Sequence, residues 1–564
     1  MPSDPDAARQ IRVETGMPQP VAKILAGMGF LDGAAIDHFM NPRLGDLSDP
    51  FRLPDMALAV ERIWRAIEQR EAVVVYGDYD VDGITSAALL IQILLRLGAA
   101  EVSPCLPSRL SEGYGLSIEA LQRCFSHCKP RLLITVDCGT NAVESAQFAI
   151  RSGVDVIVTD HHEVSGDMSA VTALVNPKRV ADDVIRGLAG VGVVFKLCHA
   201  LIKGGRERQI PEASTLDLRD YLDLAAVGTV ADIVPLLGEN RILVRHGLDR
   251  LNRTESVGLN ALMTVAGIRR PVEAWHIGFM LGPRLNAAGR MGDAESALEL
   301  LLTDYEPRAK EIAAVLDGSN RDRQDIESKI IAEAVTEIDA WFDPSVHYGI
   351  VVGRPGWHSG VIGIVASRLA FRYRRPVAVI AFDPQHMGRG SCRSIEGYNV
   401  LKGLERCAAC LTTFGGHEMA AGFELDADHF EAFKASFNAA AADLLQGQDL
   451  RPVQRINAWL NLEEADDALL DCLDRLGPFG QSNPTPVLAV RGVTLSAPPR
   501  KIGRNHLGLT LATGLVRRNA IAFGMADREI PSGPLDIAFQ LQRNTYQGVE
   551  SIQLNLQDFR PAQA

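Results

Sequence analysis

Between about residues 50 and 260, short runs of continuous apolar, β-branched residues alternate with longer stretches whose apolar positions recur at helical spacing. The runs are Ala72–Tyr76, Leu132–Val136, Val154–Thr159 and Ala173–Val175. Strands that are apolar on both faces and separated by helices predict a parallel, doubly wound α/β sheet. Residues 1–50 form a helical lead-in, closed by the turn-rich stretch Asn41–Pro54. Over 306–342, apolar residues at helical spacing are mixed with many charges, the pattern of a long, partly exposed connecting helix. A second α/β unit follows, with strands expected at Gly349–Val352 and Val377–Ala381. The last segment changes character: Ile456–Leu462, Val487–Leu495, Leu507–Leu511, Asn519–Phe523, Asp536–Leu541 and Ile552–Leu556 alternate in and out and predict a small all-β barrel. The expected divisions are 1–50, 51–305, 306–345, 346–446 and 447–564.

Composition narrows the class. The 564 residues are 47% hydrophobic and 23% charged, which excludes a disordered or fibrous chain and suffices for several cores. The most apolar stretch, Ala87–Leu97, is broken by Gln92 and Arg96 and falls short of the ~18 residues of a membrane span. The opening MPSDPDAARQ has no basic region followed by an apolar core, so no secretory signal is expected. Nine cysteines, an odd number without a tight framework, predict reduced thiols and a cytoplasmic location. A net charge of -13 argues against an all-over basic coat, but binding of phosphate depends on local charge. One local run, 491–518, holds Arg491, Arg500, Lys501, Arg504, Arg517 and Arg518 with no acidic residue. A second basic excess spans 368–406.

Candidate chemistry gathers where the first unit's strands end. After Ala72–Tyr76 come Asp78, Asp80 and Asp82, after Leu132–Val136 comes Asp137, and after Val154–Thr159 come Asp160, His161 and His162. An open parallel sheet places ligands at those carboxyl ends. Clustered carboxylates repel unless a cation neutralises them. Oxygen donors with a minority of imidazole suit two hard divalent cations, and the histidine tilts the choice to Mn²⁺ over Mg²⁺. Asp232 follows an apolar helical run and completes the set. Taken singly, each has a plainer reading: Asp82 as a helix N-cap, Asp137 as a turn residue, the histidines as core residues. Three strand ends each followed by Asp or Asp-His favour the metal.

Cys407-Ala408-Ala409-Cys410 has no second CxxC partner and reads as a structural pair on a helix, and Cys138 as a packing residue. Two glycine-rich stretches, 388–394 and 414–417, place Arg389, Ser391 and Arg393 near His417 and suggest a phosphate site. Arg284 and Arg290 in 281–290, and Arg109 in 108–115, are further candidates.

Together these motifs resemble the DHH phosphoesterase superfamily, and within it the RecJ family of single-stranded-DNA-specific 5′→3′ exonucleases. GDYDVDGIT (77–85), VDCGT (136–140), TDHH (159–162), ADIVPL (231–236), LGPRLNAAGRMGDA (281–294), GRGSCRS (388–394), FGGHEMAAGF (414–423) and GPFGQSNPTP (477–486) carry the likeness. The resemblance implies an α/β protein: a parallel-sheet DHH catalytic domain, a long connecting helix, a second α/β (DHHA1) domain and a C-terminal OB-fold barrel. It implies hydrolysis of single-stranded DNA to 5′-mononucleotides by two divalent cations, in DNA repair and recombination. Asp78, Asp80, Asp82, Asp137, His161 and Asp232 would hold the metals, with Asp78 either a ligand or a partner behind one. His162 would be the acid or electrophilic helper, and Asp160 would orient a histidine or bind metal weakly. Arg109, Arg284, Ser391 and Arg393 would hold the 5′ phosphate, with Arg290, Arg389 and His417 secondary. The barrel would bind a single strand through the 491–518 run and stacking at Phe523, Phe539 or Tyr546. Single-strand-binding protein and a RecQ-type helicase are the implied partners, and the chain is expected to act as a monomer. Two alternatives stand beside this reading: a DHH phosphodiesterase for short oligonucleotides or cyclic dinucleotides, which has no need of residues 450–564, and a non-catalytic single-strand-binding scaffold, which the intact aspartates disfavour.

Overall fold

The computed structural model describes residues 4–107, 112, 115–291, 294–546 and 548–562. The first sheet has five parallel strands, β1 (Ala72–Gly77), β2 (Glu101–Cys105), β3 (Leu132–Val136), β4 (Asp155–Thr159) and β5 (Ala173–Val175), in the order β2-β1-β3-β4-β5. Alternate side chains of β1 enter different cores, as a two-residue period requires. Val73 and Val75 pack with the helices Val81–Arg96, Gly190–Glu207 and Leu222–Ala231, while Val74 and Tyr76 pack with Ile118–His127 and Val143–Arg151. The unexpected strand is β2. Its sequence, EVSPC, lacks an apolar run because it is a partly exposed edge, the one place where Pro104 is tolerated.

The connecting helix runs from Glu306 to Asp339, about 50 Å at 1.5 Å per residue. Ala309, Ile312, Ala313 and Leu316 belong to the first unit's core, and Ile330, Ala334 and Ile338 to the second's. Between them lies a buried polar stretch in which Arg323 donates to Glu327 at 2.6 Å and Asp317 accepts from Arg284 at 2.9 Å.

In the second unit, β6 (Ile350–Pro355) pairs parallel with β7 (Val377–Phe382), and β8 (Met387–Arg393), β9 (Thr413–Gly416) and β10 (Ala420–Asp426) complete a mixed sheet in the order β6-β7-β8-β10-β9. The two glycine-rich stretches are therefore strands, 388–394 falling in β8 and 414–417 in β9, each with the residue after it. Small residues alternating with polar ones disguised an in-out strand pattern, which sets Arg389, Ser391 and Arg393 on one face. The Cys407–Cys410 pair does not lie within a helix: Cys407 caps Val400–Arg406 and Cys410 ends the following 3₁₀ turn. All nine cysteines are free thiols.

The last segment contains β11 (Ala458–Trp459), β12 (Leu488–Leu495), β13 (Arg500–Ile502), β14 (His506–Thr513), β15 (Val516–Ala522), β16 (Leu535–Tyr546) and β17 (Val549–Pro561). Pairing of β12 with β14 closes β12-β16-β17-β15-β14 into a barrel, the five-stranded topology of an OB fold. The segment is not all-β, since the helix Asp467–Asp474 precedes β12, and the strand expected over 456–462 shrinks to two residues. The lead-in helices belong to the barrel's core: Ile11, Val21, Leu25, Ile36 and Phe39 pack with Leu469, Leu473 and Leu488. The chain's two ends thus form one body. Arg241 fastens it to the first unit, donating to the carbonyls of Phe39 (2.7 Å), Leu476 (3.0 Å) and Gly477 (2.7 Å) with its guanidinium 3.7 Å above the Phe39 ring. Among the described residues no helix is long and apolar enough to cross a membrane.

Candidate metal centre and phosphate cleft

Three strand ends and one helix end converge on a single buried point. After β1, Asp80 caps the helix Val81–Arg96, its Oδ1 accepting from the Gly83 N–H at 3.1 Å, so the plainer reading of Asp82 as the N-cap does not hold. Asp82, one turn in, accepts from the Gly190 and Val191 N–H groups at 2.7 and 2.8 Å, at the positive N-terminus of Gly190–Glu207. After β3, Asp137 adopts the left-handed region (φ 60), which turns its carboxylate inward while its N–H donates to Thr159. Gly190 is required here, because a Cβ would lie 2.6 Å from Asp137 Oδ1. After β4, His161 Nε2 reaches 3.1 Å from Asp137 Oδ1, 3.6 Å from Asp232 Oδ2 and 4.0 Å from Asp82 Oδ2. Asp232 itself caps the C-terminus of Leu222–Ala231.

The donor atoms fall into overlapping groups whose members lie within 4.8 Å of one another: Asp78, Asp80 and Asp137; Asp82, His161 and Asp232; and Asp137, His161 and His162. Buried Asp137 Oδ1, His161 Nε2 and Asp232 Oδ2 have no hydrogen-bond partner. Leaving three such atoms facing one another costs free energy unless a cation takes them as ligands. Carboxylate oxygens with imidazole suit a hard divalent ion. The electrostatics agree. Burial and then the Asp80 charge push Asp82 up to about 7, while burial and then Asp82 push Asp232 up to about 9 and Asp137 well above the carboxylate range. Burial lowers His161 to about 4, so its ring is neutral, and its backbone hydrogen bond to Leu188 leaves Nε2 facing the carboxylates.

Asp160 does not face this point. Its Oδ1 accepts from the His161 N–H (2.7 Å), the His162 N–H (3.2 Å) and His162 Nδ1 (2.7 Å), and its Oδ2 accepts from the Thr140 N–H (2.9 Å). Burial alone would raise its pKa, but these bonds and the His162 charge hold it well below the usual range. Burial likewise opposes a charge on His162, and the Asp160 hydrogen bond outweighs it, holding that imidazole above its ordinary value. Cys138 packs beside the site in the hydrophobic core, its thiol pushed up by burial.

A cleft of about 560 Å³ separates the two α/β units. Tyr79 and Arg290 line it from the first, and Arg389, Ser391 and Arg393 from the second. Arg290 donates to the Gly360 carbonyl (3.1 Å), and Arg393 to Ser391 Oγ (3.0 Å) and the Cys392 carbonyl (2.8 Å). Gly363, in the first turn of Ile362–Tyr373, makes room for Arg393, whose Nη2 would lie 3.0 Å from a Cβ there. Arg389 is more exposed (58%) and shared with Glu424 at 3.3 Å. The structure does not bring Arg284 or His417 into the cleft. Arg284 is held by Asp317 and the Met280 carbonyl, and His417 is exposed in the turn between β9 and β10. Arg109 lies outside the described residues. Sequence reading missed Tyr79, wedged between two of the motif's aspartates, and the turn Ser359–Gly363. Its signal was a glycine- and serine-rich stretch between a strand and a helix, the arrangement that bares N–H groups to an anion.

On the barrel, Arg491 stacks 4.6 Å over Trp459, a pair the sequence did not single out, and Phe523 is half exposed. Phe539 is fully buried in the barrel core and unavailable for stacking, and the side chain of Tyr546 lies outside the described residues.

Family models match three segments: the DHH family N-terminal domain over 72–229, the DHHA1 domain over 343–443 and the RecJ OB domain over 456–558. The single-stranded-DNA-specific exonuclease RecJ of Haemophilus influenzae is 36% identical over 538 residues, 92% of each chain. That of Escherichia coli is 34% identical over 90% of this chain and 91% of its own. The structure of RecJ in complex with Mn²⁺ from Thermus thermophilus superposes with a TM-score of 0.85 at 30% identity, covering 100% of this chain and 79% of that one. A second structure of that protein, with Mg²⁺, gives 0.78.

Proposed function

Because the chain belongs to the RecJ family of single-stranded-DNA-specific exonucleases, we propose that it degrades single-stranded DNA 5′→3′ to 5′-mononucleotides with two divalent cations. The observation that carries this reading is the convergence of Asp137 Oδ1, His161 Nε2 and Asp232 Oδ2, buried without partners, beside an arginine-lined cleft. Asp78, Asp80, Asp82, Asp137, His161 and Asp232 hold the cations, Mn²⁺ or Mg²⁺. When bound, the cations supply Lewis acidity that makes water nucleophilic and neutralises charge on the attacked phosphate.

The chain's own groups do the rest. Arg393 and Ser391, with Arg290 opposite, hold the terminal 5′ phosphate by charge-assisted hydrogen bonds and so measure one nucleotide from the strand end. His162, whose hold on a proton is strengthened by Asp160 on its Nδ1, presents Nε2 to the reacting phosphodiester and gives its proton to the departing 3′ oxygen of the first nucleotide. Water adds to phosphorus as that oxygen leaves, so the shortened strand carries a new 5′ phosphate ready for the same cleft. The passage between the two units admits one strand and excludes a duplex. In repair and recombination the substrate would come from a RecQ-type helicase and single-strand-binding protein, with the enzyme a cytoplasmic monomer.

Digestion of 5′- and 3′-labelled single strands with Mn²⁺, beside Asp137→Ala, tests the reading. Stepwise release from the 5′ end, lost in the variant, is expected. Strand binding without degradation by either protein, or equally fast digestion of blunt duplex, would overturn it.

A further inference from the structure

We propose that Lys178 and Arg186, which share Glu163 on the His161 side of the metal centre, hold the backbone phosphate one nucleotide 3′ of the bond being cut. The inference rests on the single-stranded-DNA reading above. Three chain segments meet at this point. Glu163 follows His161 and His162 beyond the end of β4, Lys178 lies in the single 3₁₀ turn Pro177–Arg179 after β5, and Arg186 ends the short helix Asp183–Arg186. Lys178 Nζ is 3.5 Å from Glu163 Oε1, and Arg186 Nη2 is 3.9 Å from Glu163 Oε2. One carboxylate thus serves two cations at distances beyond an ordinary hydrogen bond, which leaves a net positive charge. Surface ion pairs of this kind add little to stability, and Glu163 is 66% exposed, so an entering phosphate displaces it readily.

Both cations are tied to the frame of the metal centre. Asn176 is fully buried; it accepts from the Lys178 N–H at 2.8 Å and donates to Thr140 Oγ1 and the His162 carbonyl, both at 2.9 Å. Arg186 leads through Gly187 into Leu188, whose backbone bonds His161, and on to Gly190 and Val191, which clasp Asp82. The Lys178 charge reaches the centre: it adds to burial and His162 in lowering His161, and it opposes the burial and the Asp82 and Asp80 charges that raise Asp232. The placement decides which phosphate these cations meet. Tyr79, between Asp78 and Asp80, lines the cleft that takes the 5′ phosphate, and Gly289 beside Arg290 packs on it, where a Cβ would fall 2.7 Å from the Tyr79 carbonyl oxygen. Asp82, His161 and Asp232 form the other donor group. A strand with its 5′ end in the cleft and its first phosphodiester at the metals continues past His161 and Asp232, where Lys178 and Arg186 stand. They meet backbone charge, so the contact is indifferent to base.

The test uses the full-length protein, Mn²⁺ and a 5′-phosphorylated single strand, and follows release of the first nucleotide. The strand is either unmodified or carries one uncharged methylphosphonate at its second internucleotide linkage. Lys178→Ala combined with Arg186→Ala should raise KM about tenfold while kcat stays within about twofold. The slope of log KM against log salt should become shallower by about 0.7 for each contact removed, a readout that a loosened fold does not give. Lys178→Arg keeps the charge and should stay near the wild type. The methylphosphonate should cost the wild type a factor similar to the double substitution, and the double variant nothing further. Both side chains reach solvent, so the variants should melt with the wild type, and Arg186→Ala alone, at the more exposed position (44%), should show the salt effect of one contact. An active wild type whose KM and salt slope the double variant leaves unchanged, or a methylphosphonate penalty equal in both proteins, overturns this inference alone. An inactive wild type overturns the exonuclease reading and this inference with it.

Discussion

The turn after β1 carries Asp78, Asp80 and Asp82 toward the interior, whereas the turn after β6 leads through Ser359 and Gly360 to an open cleft faced by Arg389, Ser391 and Arg393. Both are strand-to-helix passages, yet they handle charge in opposite ways. The first removes carboxylates from water and fixes them with backbone N–H groups, a left-handed Asp137 and a glycine that permits close approach. The second leaves its cations partly hydrated and lets neighbouring carbonyls and a hydroxyl aim them. A buried charge is intolerant of change because an unpaired neighbour remains buried, while a hydrated one yields its place to water.

Disturbing the buried side should have the larger effect. Asp160→Asn keeps the shape that receives the Thr140 N–H but removes the charge that raises the proton affinity of His162. We expect kcat to fall on the order of 10²–10³-fold with KM little changed. The alkaline limb of the pH profile should move to lower pH, since His162 loses the partner that raises its pKa. Single-turnover rates across pH decide the point, and an unchanged limb would remove His162 from the mechanism.

On the cleft side, Arg393→Ala should raise KM for a 5′-phosphorylated strand about ten- to hundredfold, the value of a charge-assisted hydrogen bond or two, and should matter little for a 5′-hydroxyl strand. Equal penalties on both substrates would refute the assignment of the terminal phosphate.

The metal-free centre also makes stability depend on pH. Asp82 and Asp232 have folded pKa values raised to about 7 and about 9, above their ordinary 3.8. Their protonated forms favour the fold fully below about pH 4, and that contribution is lost as pH rises through 7 and then 9. Mn²⁺ replaces those protons, so its rise in unfolding midpoint should be larger at pH 8.5 than at 5.5, by a few degrees. A metal shift indifferent to pH in thermal melts would mean that the ion binds elsewhere.

The smallest effect is expected at Arg389. It is exposed and already shared with Glu424, so Arg389→Ala should change KM less than about threefold. A loss as large as that of Arg393→Ala would erase the distinction between aimed and hydrated arginines within the cleft.

Much of the candidate metal centre was legible in the sequence because every donor but Asp232, which ends a helix, is local to a strand end. Asp78, Asp80 and Asp82 follow β1, Asp137 follows β3, His161 follows β4, and the rule that ligands gather at the carboxyl ends of parallel strands joins them. The cleft was legible as a set of arginines, but not which of them act together. Arg284 and Arg290 lie on one helix, yet Asp317 on the long connecting helix draws the first away while the second reaches Gly360. Nothing near either residue in the chain announces that difference.

What the sequence alone determined is therefore the apolar strands of the parallel first sheet, the long connecting helix and the carboxylate set, all of which depend on periodicity and on residues within a few positions of one another. Only the tertiary structure decided which cap belongs to Asp80, that Asp82 is clasped by Gly190 and Val191, and that Asp160 serves His162 rather than the metal point. It also decided that β12 and β14 close the barrel and that Arg241 fastens both chain ends to the first unit. The clasp on Asp82 and the Arg241 bonds join groups a hundred or more residues apart, which leave no period and no local composition in the chain and form only once hydrophobic burial has brought the elements together. The Asp80 and Asp160 bonds are local, but several acidic and imidazole groups compete within a few residues, and only the packed geometry selects which of them pair.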